Sequence, residues 1–207
     1  MKLLVATGNP GKVREFVELL GPALPEGSQL VSLADLKLPA PEETGATFAE
    51  NAAEKARAGA LASGLWTVGD DSGLCVDALD GGPGLKSARY APTDPERRTK
   101  LLAALLRAPE GRRGAHFECA IALAAPDGRR LFRSEGRVDG SIAGAPKGNG
   151  GFGYDPIFVP DEAGGRTLAE LNALQKNTLS HRGRAVKRLL PLISRLLREG
   201  DLPDDAG

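Results

Sequence analysis

The chain has 207 residues, of which 26% are charged and 41% hydrophobic, and this composition suits one globular domain with a sizeable core. It carries 27 Lys and Arg residues against 27 Asp and Glu residues, so no overall positive field would attract a nucleic-acid backbone or an anionic membrane. We therefore expect neither nucleic acid nor a membrane as a partner.

Strands alternate with helices in the first third of the chain. Short apolar runs predict strands, and apolar residues at helical spacing predict helices. Thr47 and Glu50 have the spacing of a capping box that begins the second helix, and Gly64 is placed to end it. The predicted elements are a strand at 2–6, a helix at 12–20, a strand at 29–33, the capped helix, and a strand at 65–69.

The rest of the chain adds a helix, a hairpin and a closing helix. In TDPERRTKLLAALLRA, Asp94 is the expected N-cap and Pro95 the first helical residue. Two apolar runs in AHFECAIALAAPDGRRLFRSEGRV flank a turn sequence and predict a β-hairpin. Pro191 should bend or end the last helix, and the tail from about 200 to 207 should be frayed. We expect a single α/β domain over 1–207, with a mixed β-sheet flanked by helices.

The cysteines and the apolar runs indicate a cytoplasmic protein. Cys75 and Cys119 are the only cysteines, and their strand-like surroundings favour small buried side chains over a disulfide framework. No apolar run approaches the roughly 20 residues of a membrane span, and the first residues lack the apolar region of a signal peptide.

The segment TGNPGK, Thr7 to Lys12, joins the first strand to the first helix. Its small residues would let the backbone approach a ligand, and a helix start offers N–H groups and a positive dipole end to an anion. It is not a P-loop, because Ala6 and Val13 stand where that pattern needs Gly and Ser or Thr. Anion binding and an ordinary strand-to-helix turn are both compatible with this segment alone.

The segment DDSG places Asp70 and Asp71 after an apolar strand. A turn with one capping and one solvated aspartate would explain the pair. Glu42 or Glu43 supplies another carboxylate, upstream of the helix that leads back to this strand. Because Mg²⁺ is usually held by one or two carboxylates, waters and substrate phosphates, these residues also form a candidate Mg²⁺ site. Asp71 could both bind the metal and deprotonate a water.

Two segments offer alternatives between packing and ligand binding. Lys55 can extend outward from its helix, as helical lysines usually do, or contact a phosphate. In GNGGFGYDP, Phe152 can pack in the core, or it can grip a nucleobase together with Tyr154 and Asp155.

The segment NTLSHRGRA sets positive residues at a helix start, with Lys176 just before it. His181 and Arg182 oppose the helix dipole there, so an anionic or electron-rich ligand would relieve an unfavourable placement.

Five segments together resemble the inosine triphosphate pyrophosphatase family, the dITP/XTP pyrophosphatases, in order and in spacing. They are TGNPGK, ETGATFAENAAEKA, DDSGLCVDALDGGPGLKSARYA, GGFGYDPIF and LSHRGRA. The resemblance covers nearly the whole chain. One departure is Gly69, where that family often has alanine.

The resemblance implies an elongated α/β fold with a long mixed sheet, two lobes with a substrate cleft between them, and a homodimer. It implies Mg²⁺-dependent cleavage of non-canonical purine nucleoside triphosphates, namely ITP, dITP and XTP, to the nucleoside monophosphate and pyrophosphate. Asp71 would be the proton acceptor and a metal ligand, with Glu43, or alternatively Glu42, as the second ligand. The implied substrate-binding residues are Thr7, Gly8, Asn9, Pro10, Gly11, Lys12, Lys55, Ser72, Phe152, Gly153, Tyr154, Asp155, Lys176, His181 and Arg182.

Two other functions are compatible with the same segments. A pyrophosphatase for modified pyrimidine nucleoside triphosphates would use the same metal chemistry. A non-hydrolytic nucleotide-binding regulator could share the phosphate loop and the aromatic residues, but it would not need Asp71 together with Glu43.

Overall fold

Six β-strands and five α-helices form the regular structure of residues 1–106 and 111–202, the residues that this computed structural model describes. The strands are β1 (Lys2–Val5), β2 (Gln29–Ser32), β3 (Trp66–Val76), β4 (Gly114–Ala124), β5 (Leu131–Ile142) and β6 (Phe158–Pro160). The helices are α1 (Pro10–Leu20), α2 (Phe48–Ser63), α3 (Asp94–Leu105), α4 (Ala173–Leu179) and α5 (His181–Glu199). Among these helices, none combines the length and the apolar composition that a bilayer crossing requires.

The strands form one mixed sheet in the order β2-β1-β3-β4-β5-β6. β1 runs parallel to both β2 and β3, whereas β6 runs antiparallel to β5. β4 and β5 are consecutive in the chain and neighbours in the sheet, as the hairpin prediction requires. The predicted α/β class with a mixed sheet is therefore confirmed.

The chain divides into two compact units whose segments alternate along the sequence. The first unit consists of residues 1–71, 119–135 and 185–207, and the second of residues 72–118 and 136–184. β3, β4 and β5 each contribute residues to both units. Because the chain passes repeatedly from one unit to the other, no single linker divides the sequence.

In the first unit, α1 and α5 pack on one face of the strands. Alternate residues of a strand point to the same face, so Leu3 and Val5 of β1 share a core with Trp66 and Val68 of β3. Phe16 of α1 is fully buried in this core. The apolar residues at helical spacing in α1 and α5 thus pack into one continuous core with the strands.

The opposite face of the first unit is covered by α2 through very small side chains. Alanines of α2 pack on alanines of β4. At Gly69 of β3, a Cβ would lie 2.5 Å from the backbone nitrogen of Ala56 and closer still to the carbonyl oxygen of Ala52. Glycine at this position, where the resembled family often has alanine, lets α2 lie closer to β3 than a side chain would allow.

The second unit has a separate core between its strands and α3. Leu74 and Val76 of β3 pack there with Phe117 of β4 and Leu101 of α3. The ring of Phe117 meets that of Phe158 edge to face, with centroids 4.8 Å apart.

Three helix ends test the local predictions. The capping box of Thr47 and Glu50 and the left-handed Gly64 that ends α2 are confirmed. The predicted N-cap of α3 is wrong by one residue, because Thr93 and Glu96 form the capping box and Asp94 is already helical.

The closing segment is ordered beyond Pro191. α5 continues through this proline to Glu199, so Pro191 does not end the helix. Leu202 is buried in the core, and Arg130 binds the carboxylate of Asp201 at 2.8 Å. The rest of the predicted tail, residues 203–207, lies outside the described residues.

β3 extends much farther than the sequence predicts. The strand expected at 65–69 continues through both aspartates to Val76, so the expectation that Asp70 and Asp71 lie beyond its end is wrong. An isolated pair of carboxylates would not be buried in a strand, because desolvation of each charge is costly. Here both carboxylates have lysine partners, which offset the cost of desolvation.

Candidate active site

Asp70 and Asp71 lie on opposite faces of β3, because successive side chains of a strand alternate in direction. Both are almost fully buried. Lys12 of α1 pairs with Asp70 at 3.0 Å, and Lys55 of α2 pairs with Asp71 at 3.0 Å. Each negative charge therefore has its own cationic partner, which offsets the cost of burying the pair.

Asp71 is held at both carboxylate oxygens by residues of α2. Asn51 donates from Nδ2 to Oδ2 at 3.0 Å, and Lys55 donates from Nζ to Oδ1 at 3.0 Å. Lys55 also donates to Oε1 of Glu43 at 2.7 Å. Since Asn51 and Lys55 are four residues apart on one helical face, α2 presents both donors to the same carboxylate.

Lys55 is a buried cation, and its charge is sustained by the neighbouring carboxylates. Burial alone would lower the pKa of its ammonium, but the charges of Asp70, Asp71 and Glu43 outweigh this effect and raise the pKa above the usual lysine value. Lys55 therefore stays protonated at neutral pH. It is a fixed positive charge in the cluster and not a base.

The donor set of this cluster fits a hard divalent cation. The carboxylates of Asp71 and Glu43 converge on a common point, at present the Lys55 ammonium, within 3.0 Å and 2.7 Å. Oxygen donors of this kind, completed by water and phosphate oxygens, are what Mg²⁺ prefers. Glu43 is partly buried and belongs to the cluster, whereas Glu42 is exposed.

The segment TGNPGK forms the predicted turn from β1 into α1, with Asn9 as the N-cap. Its Oδ1 accepts the backbone N–H of Gly11 at 2.8 Å and of Lys12 at 3.3 Å. Pro10 occupies the first helical position, and the hydroxyl of Thr7 accepts the N–H of Asn9 at 3.2 Å. The helix start is thus already capped by a side chain, so an anion would compete with Asn9 for these two N–H groups.

A groove of about 410 Å³ lies beside this turn. Thr7, Gly8 and Pro10 line it together with Arg14 of α1 and residues that follow β2. The backbone of Gly8 can be approached closely, because this residue has no side chain. The groove therefore brings the predicted phosphate loop and a guanidinium to one surface.

Arg182, near the start of α5, is the largest fully buried side chain. Its Nη2 donates to the hydroxyl oxygen of Ser72 in β3 at 2.8 Å. Ser180 accepts the N–H of Gly183 at 3.1 Å and so stabilises the first turn of the helix. Two predicted substrate-binding residues, Ser72 and Arg182, are thus in direct contact.

The neighbouring His181 is buried against an aromatic ring. Its imidazole stacks on Phe117, with centroids 4.6 Å apart and planes inclined by 8°. Stacking on a core aromatic fixes the plane of the imidazole, so His181 has a defined orientation.

Phe152, Asp155 and Lys176 form a second buried ion pair with an aromatic neighbour. The carboxylate of Asp155 accepts from Nζ of Lys176 at 2.6 Å and from the N–H of Phe152 at 2.8 Å. The Lys176 ammonium lies 4.9 Å from the centroid of the Phe152 ring. Asp155, at the end of the glycine-rich segment, therefore fixes the backbone at Phe152 and the Lys176 ammonium through one carboxylate.

The residues between Phe152 and Asp155 are anchored to other parts of the second unit. Gly153 donates its N–H to Asp94 at 2.7 Å, and its carbonyl accepts from Arg98 at 2.7 Å. Tyr154 is buried, and its hydroxyl donates to the carbonyl oxygen of Ser87 at 3.0 Å. Burial raises the pKa of Tyr154 well above the usual value, which keeps the phenol neutral.

The sequence did not indicate several residues that contact and position the predicted site residues. Asn51 stands one helical turn before Lys55, and this spacing was a usable signal. Asp94 and Arg98 also have helical spacing, but their contact with Gly153 joins distant segments and leaves no local signal. The same is true of Phe117 beneath His181.

Comparison with known proteins gives one consistent result. Residues 3–192 match the model of the Ham1 family. A dITP/XTP pyrophosphatase of Gloeobacter violaceus is 53% identical, with 93% of this chain and 94% of the relative aligned. One of Streptomyces coelicolor is 47% identical, with 95% and 98% aligned.

Solved structures agree with the sequence relatives. A HAM1 protein from Coxiella burnetii has a TM-score of 0.82 and 40% identity, with 94% of this chain and 99% of that chain covered. A nucleoside-triphosphatase / dITP/XTP pyrophosphatase from Mycobacterium abscessus has a TM-score of 0.68 and 49% identity, with 93% and 100% covered.

Proposed function

Because the chain belongs to the Ham1 family, we propose that it hydrolyses the non-canonical purine nucleoside triphosphates ITP, dITP and XTP to the nucleoside monophosphate and pyrophosphate. Its relatives from Gloeobacter violaceus and Streptomyces coelicolor are dITP/XTP pyrophosphatases, which supports this substrate class. The observation that carries the hydrolytic part is the buried cluster of Asp71, Glu43, Lys55 and Asn51. A protein that only bound nucleotides would have no need for it.

We infer that Asp71 and Glu43 would hold Mg²⁺, because their oxygens converge and suit a hard cation. When bound, such an ion offsets charge on phosphate oxygens and lowers the pKa of a coordinated water. Lys55 occupies the point where these oxygens converge, so its ammonium would move aside for the ion and remain beside the same carboxylates as a second positive charge.

Asp71 would accept the proton of the water that attacks the α-phosphorus. The bond from this phosphorus to the bridging oxygen then breaks, and pyrophosphate leaves. Asn51 and Lys55 each bind one oxygen of Asp71, so the direction of its basic lone pairs is set before substrate arrives. Because Lys55 stays protonated, it does not compete with Asp71 as the base.

Residues Thr7 to Lys12 would bind the triphosphate through the Lys12 ammonium and through backbone N–H groups, two of which the phosphate would take over from Asn9. Asp70 positions that ammonium at 3.0 Å. A phosphate approaching Lys12 would share the ammonium with Asp70, which holds it in position before the phosphate arrives.

Ser72, Phe152 to Asp155, Lys176, His181 and Arg182 would bind the nucleoside. A guanidinium donates but cannot accept, so Arg182 would favour the 6-keto oxygen of hypoxanthine or xanthine over the 6-amino group of adenine. Leaving a buried donor unpaired costs about 1–3 kcal/mol, or roughly 5- to 150-fold per contact.

We further expect a cytoplasmic homodimer. The dimer follows from the family resemblance. The cytoplasm is where nucleoside triphosphates are used, and both cysteines are free thiols. Light scattering on the purified protein at micromolar concentration measures the oligomeric state directly.

The proposed function is tested by identifying the phosphate product. Purified protein is incubated with ITP, dITP or XTP and Mg²⁺, with ATP, GTP and methylated pyrimidine triphosphates as comparison substrates. We expect pyrophosphate and the monophosphate as the initial products, with ITP and XTP preferred over ATP. Orthophosphate as the only initial product, or a preference for the pyrimidine substrates, would overturn the assignment.

A further inference from the structure

Three metal-binding side chains that the proposed function does not use converge in the second unit. Cys75 of β3 and His116 and Glu118 of β4 each offer one ligand atom, and these three atoms lie within 4.8 Å of one another. The chain has only two cysteines and two histidines, and one of each is gathered here.

The cluster lies on the face of the strands that points away from the core of this unit. Leu74 and Val76 flank Cys75, and Ala115 and Phe117 flank His116 in sequence, and all four belong to that core. Because strand side chains alternate, Cys75, His116 and Glu118 share the opposite face. His116 and Glu118 are partly exposed and Cys75 is the more buried member, so a metal ion could reach the cluster from the side of the histidine and the carboxylate.

The three donors suit a borderline-soft cation. Thiolate, imidazole and carboxylate are the three ligand types of protein-bound zinc, with bond lengths of about 2.0–2.3 Å. Ligand atoms around a tetrahedral ion with such bonds are roughly 3.3–3.6 Å apart. Ligand atoms already within 4.8 Å can reach this spacing by small side-chain rotations. Mg²⁺ would not compete well, because it does not favour sulfur or nitrogen donors.

The surrounding charges are compatible with a bound cation. Arg137 of β5 is the nearby positive group, but it pairs with Asp139 at 2.6 Å and is more than half exposed. Burial raises the pKa of the Cys75 thiol, the Glu118 and Asp77 carboxylates raise it further, and Arg137 opposes them. A metal ion would take this thiol as its thiolate, so binding would release a proton.

We propose that Cys75, His116 and Glu118 form a binding site for a divalent transition metal of the zinc class, with water completing a tetrahedral shell. The site uses none of the residues of the Asp71 cluster, so it can be occupied while Mg²⁺ is bound elsewhere. It joins β3 to β4 and stabilises the second unit by linking two strands through one ion.

Cobalt substitution tests the site, because Co²⁺ bound to a thiolate gives a near-ultraviolet charge-transfer band that Mg²⁺ cannot give. Metal-free protein in excess Mg²⁺ is titrated with Co²⁺ and then with Zn²⁺. We expect a thiolate band that saturates at one Co²⁺ per chain and disappears when Zn²⁺ is added. Cys75→Ser should abolish the band, and His116→Gln or Glu118→Gln should weaken Co²⁺ binding at least tenfold.

Cys119→Ala is the matched control, since this second cysteine is buried in the other unit and should leave the band unchanged. A measurement that needs no variant is alkylation of the wild-type protein followed by peptide mass spectrometry. We expect Zn²⁺ to slow the alkylation of Cys75 at least tenfold.

Three results would each overturn the proposal. They are the absence of a thiolate band in the wild type, a band that survives in Cys75→Ser, and a rate of Cys75 alkylation that Zn²⁺ does not change.

Discussion

Replacing Asp71 by asparagine tests the proposed proton acceptor most directly. In the folded protein, Oδ1 of Asp71 accepts from Lys55 and Oδ2 accepts from Asn51, each at 3.0 Å. An asparagine has one acceptor oxygen and one amide group at these positions. In either orientation of this amide, its NH₂ group faces either Asn51 Nδ2 or Lys55 Nζ, and that donor loses its hydrogen-bond acceptor.

The structure sets the size of both expected effects. Losing one buried hydrogen bond from a charged or amide donor lowers the free energy of unfolding by about 1.5–3 kcal/mol. Losing a general base typically lowers kcat by roughly 10²–10⁴-fold, and Asp71 would also be lost as a metal ligand. We therefore expect kcat for ITP to fall at least about a thousandfold in a variant that still folds.

Pyrophosphate release at saturating ITP and Mg²⁺ measures the rate, and circular dichroism with urea unfolding measures the fold. Asp70→Asn is the matched control, because it makes the same charge change at the adjacent residue on the other face of β3. This control should lower stability and weaken substrate binding while keeping kcat within about tenfold of the wild type. A folded Asp71→Asn protein with kcat within tenfold of the wild type would refute the role of Asp71 as the base.

Four further outcomes follow from the geometry. Glu43→Gln should reduce ITP turnover and raise the Mg²⁺ concentration needed for half-maximal activity, whereas the exposed Glu42→Gln should change neither; equal effects would remove Glu43 from the metal site. Arg182→Ala should lower kcat/KM for ITP by roughly 5- to 150-fold and affect residual ATP hydrolysis less; equal losses would assign Arg182 to structure or to phosphate binding. Gly69→Ala should destabilise the protein and reduce kcat, because the new methyl group meets the backbone of α2; wild-type thermal stability would contradict this packing. Burial raises the pKa of Tyr154, so its phenol ionises in the unfolded chain from about pH 10 but not in the folded one. Stability should therefore fall with pH above that value, and Tyr154→Phe should show a smaller alkaline loss in urea unfolding; identical slopes would show that the phenol does not drive it.

Local signals predicted most of the regular structure. Apolar spacing located α1, α2 and the strands of the hairpin, and capping chemistry located both ends of α2. The predicted strand ends at residue 69, too early for β3, because two adjacent aspartates are typical of a turn. Only the pairing of these carboxylates with Lys12 and Lys55, which lie far away in the sequence, makes a buried strand acceptable there.

The candidate site was predictable as a set of residues but not as a set of contacts. The family resemblance supplied Lys55 as a substrate contact, and the structure adds that its ammonium bridges Asp71 and Glu43. Tyr154 remains a predicted nucleobase neighbour, and the structure adds that its hydroxyl donates to a backbone carbonyl in the core. Such contacts depend on where a side chain points after folding, which spacing along the sequence does not specify.

The opposite orientation of Asp70 and Asp71 links strand pairing to activity. β1 pairs with β3 in a register that sets Leu3 opposite Trp66 and Val5 opposite Val68. A slip of one residue in β3 would turn every side chain to the other face, so Asp71 would meet α1 and Asp70 would leave it. Depending on the direction of the slip, one lysine would face the wrong aspartate and the other would face Gly69 or Ser72, while one carboxylate lost its cationic partner. The same ionic pairs that build the site therefore penalise a misaligned sheet, and a molecule that has folded in the wrong register is both unstable and inactive.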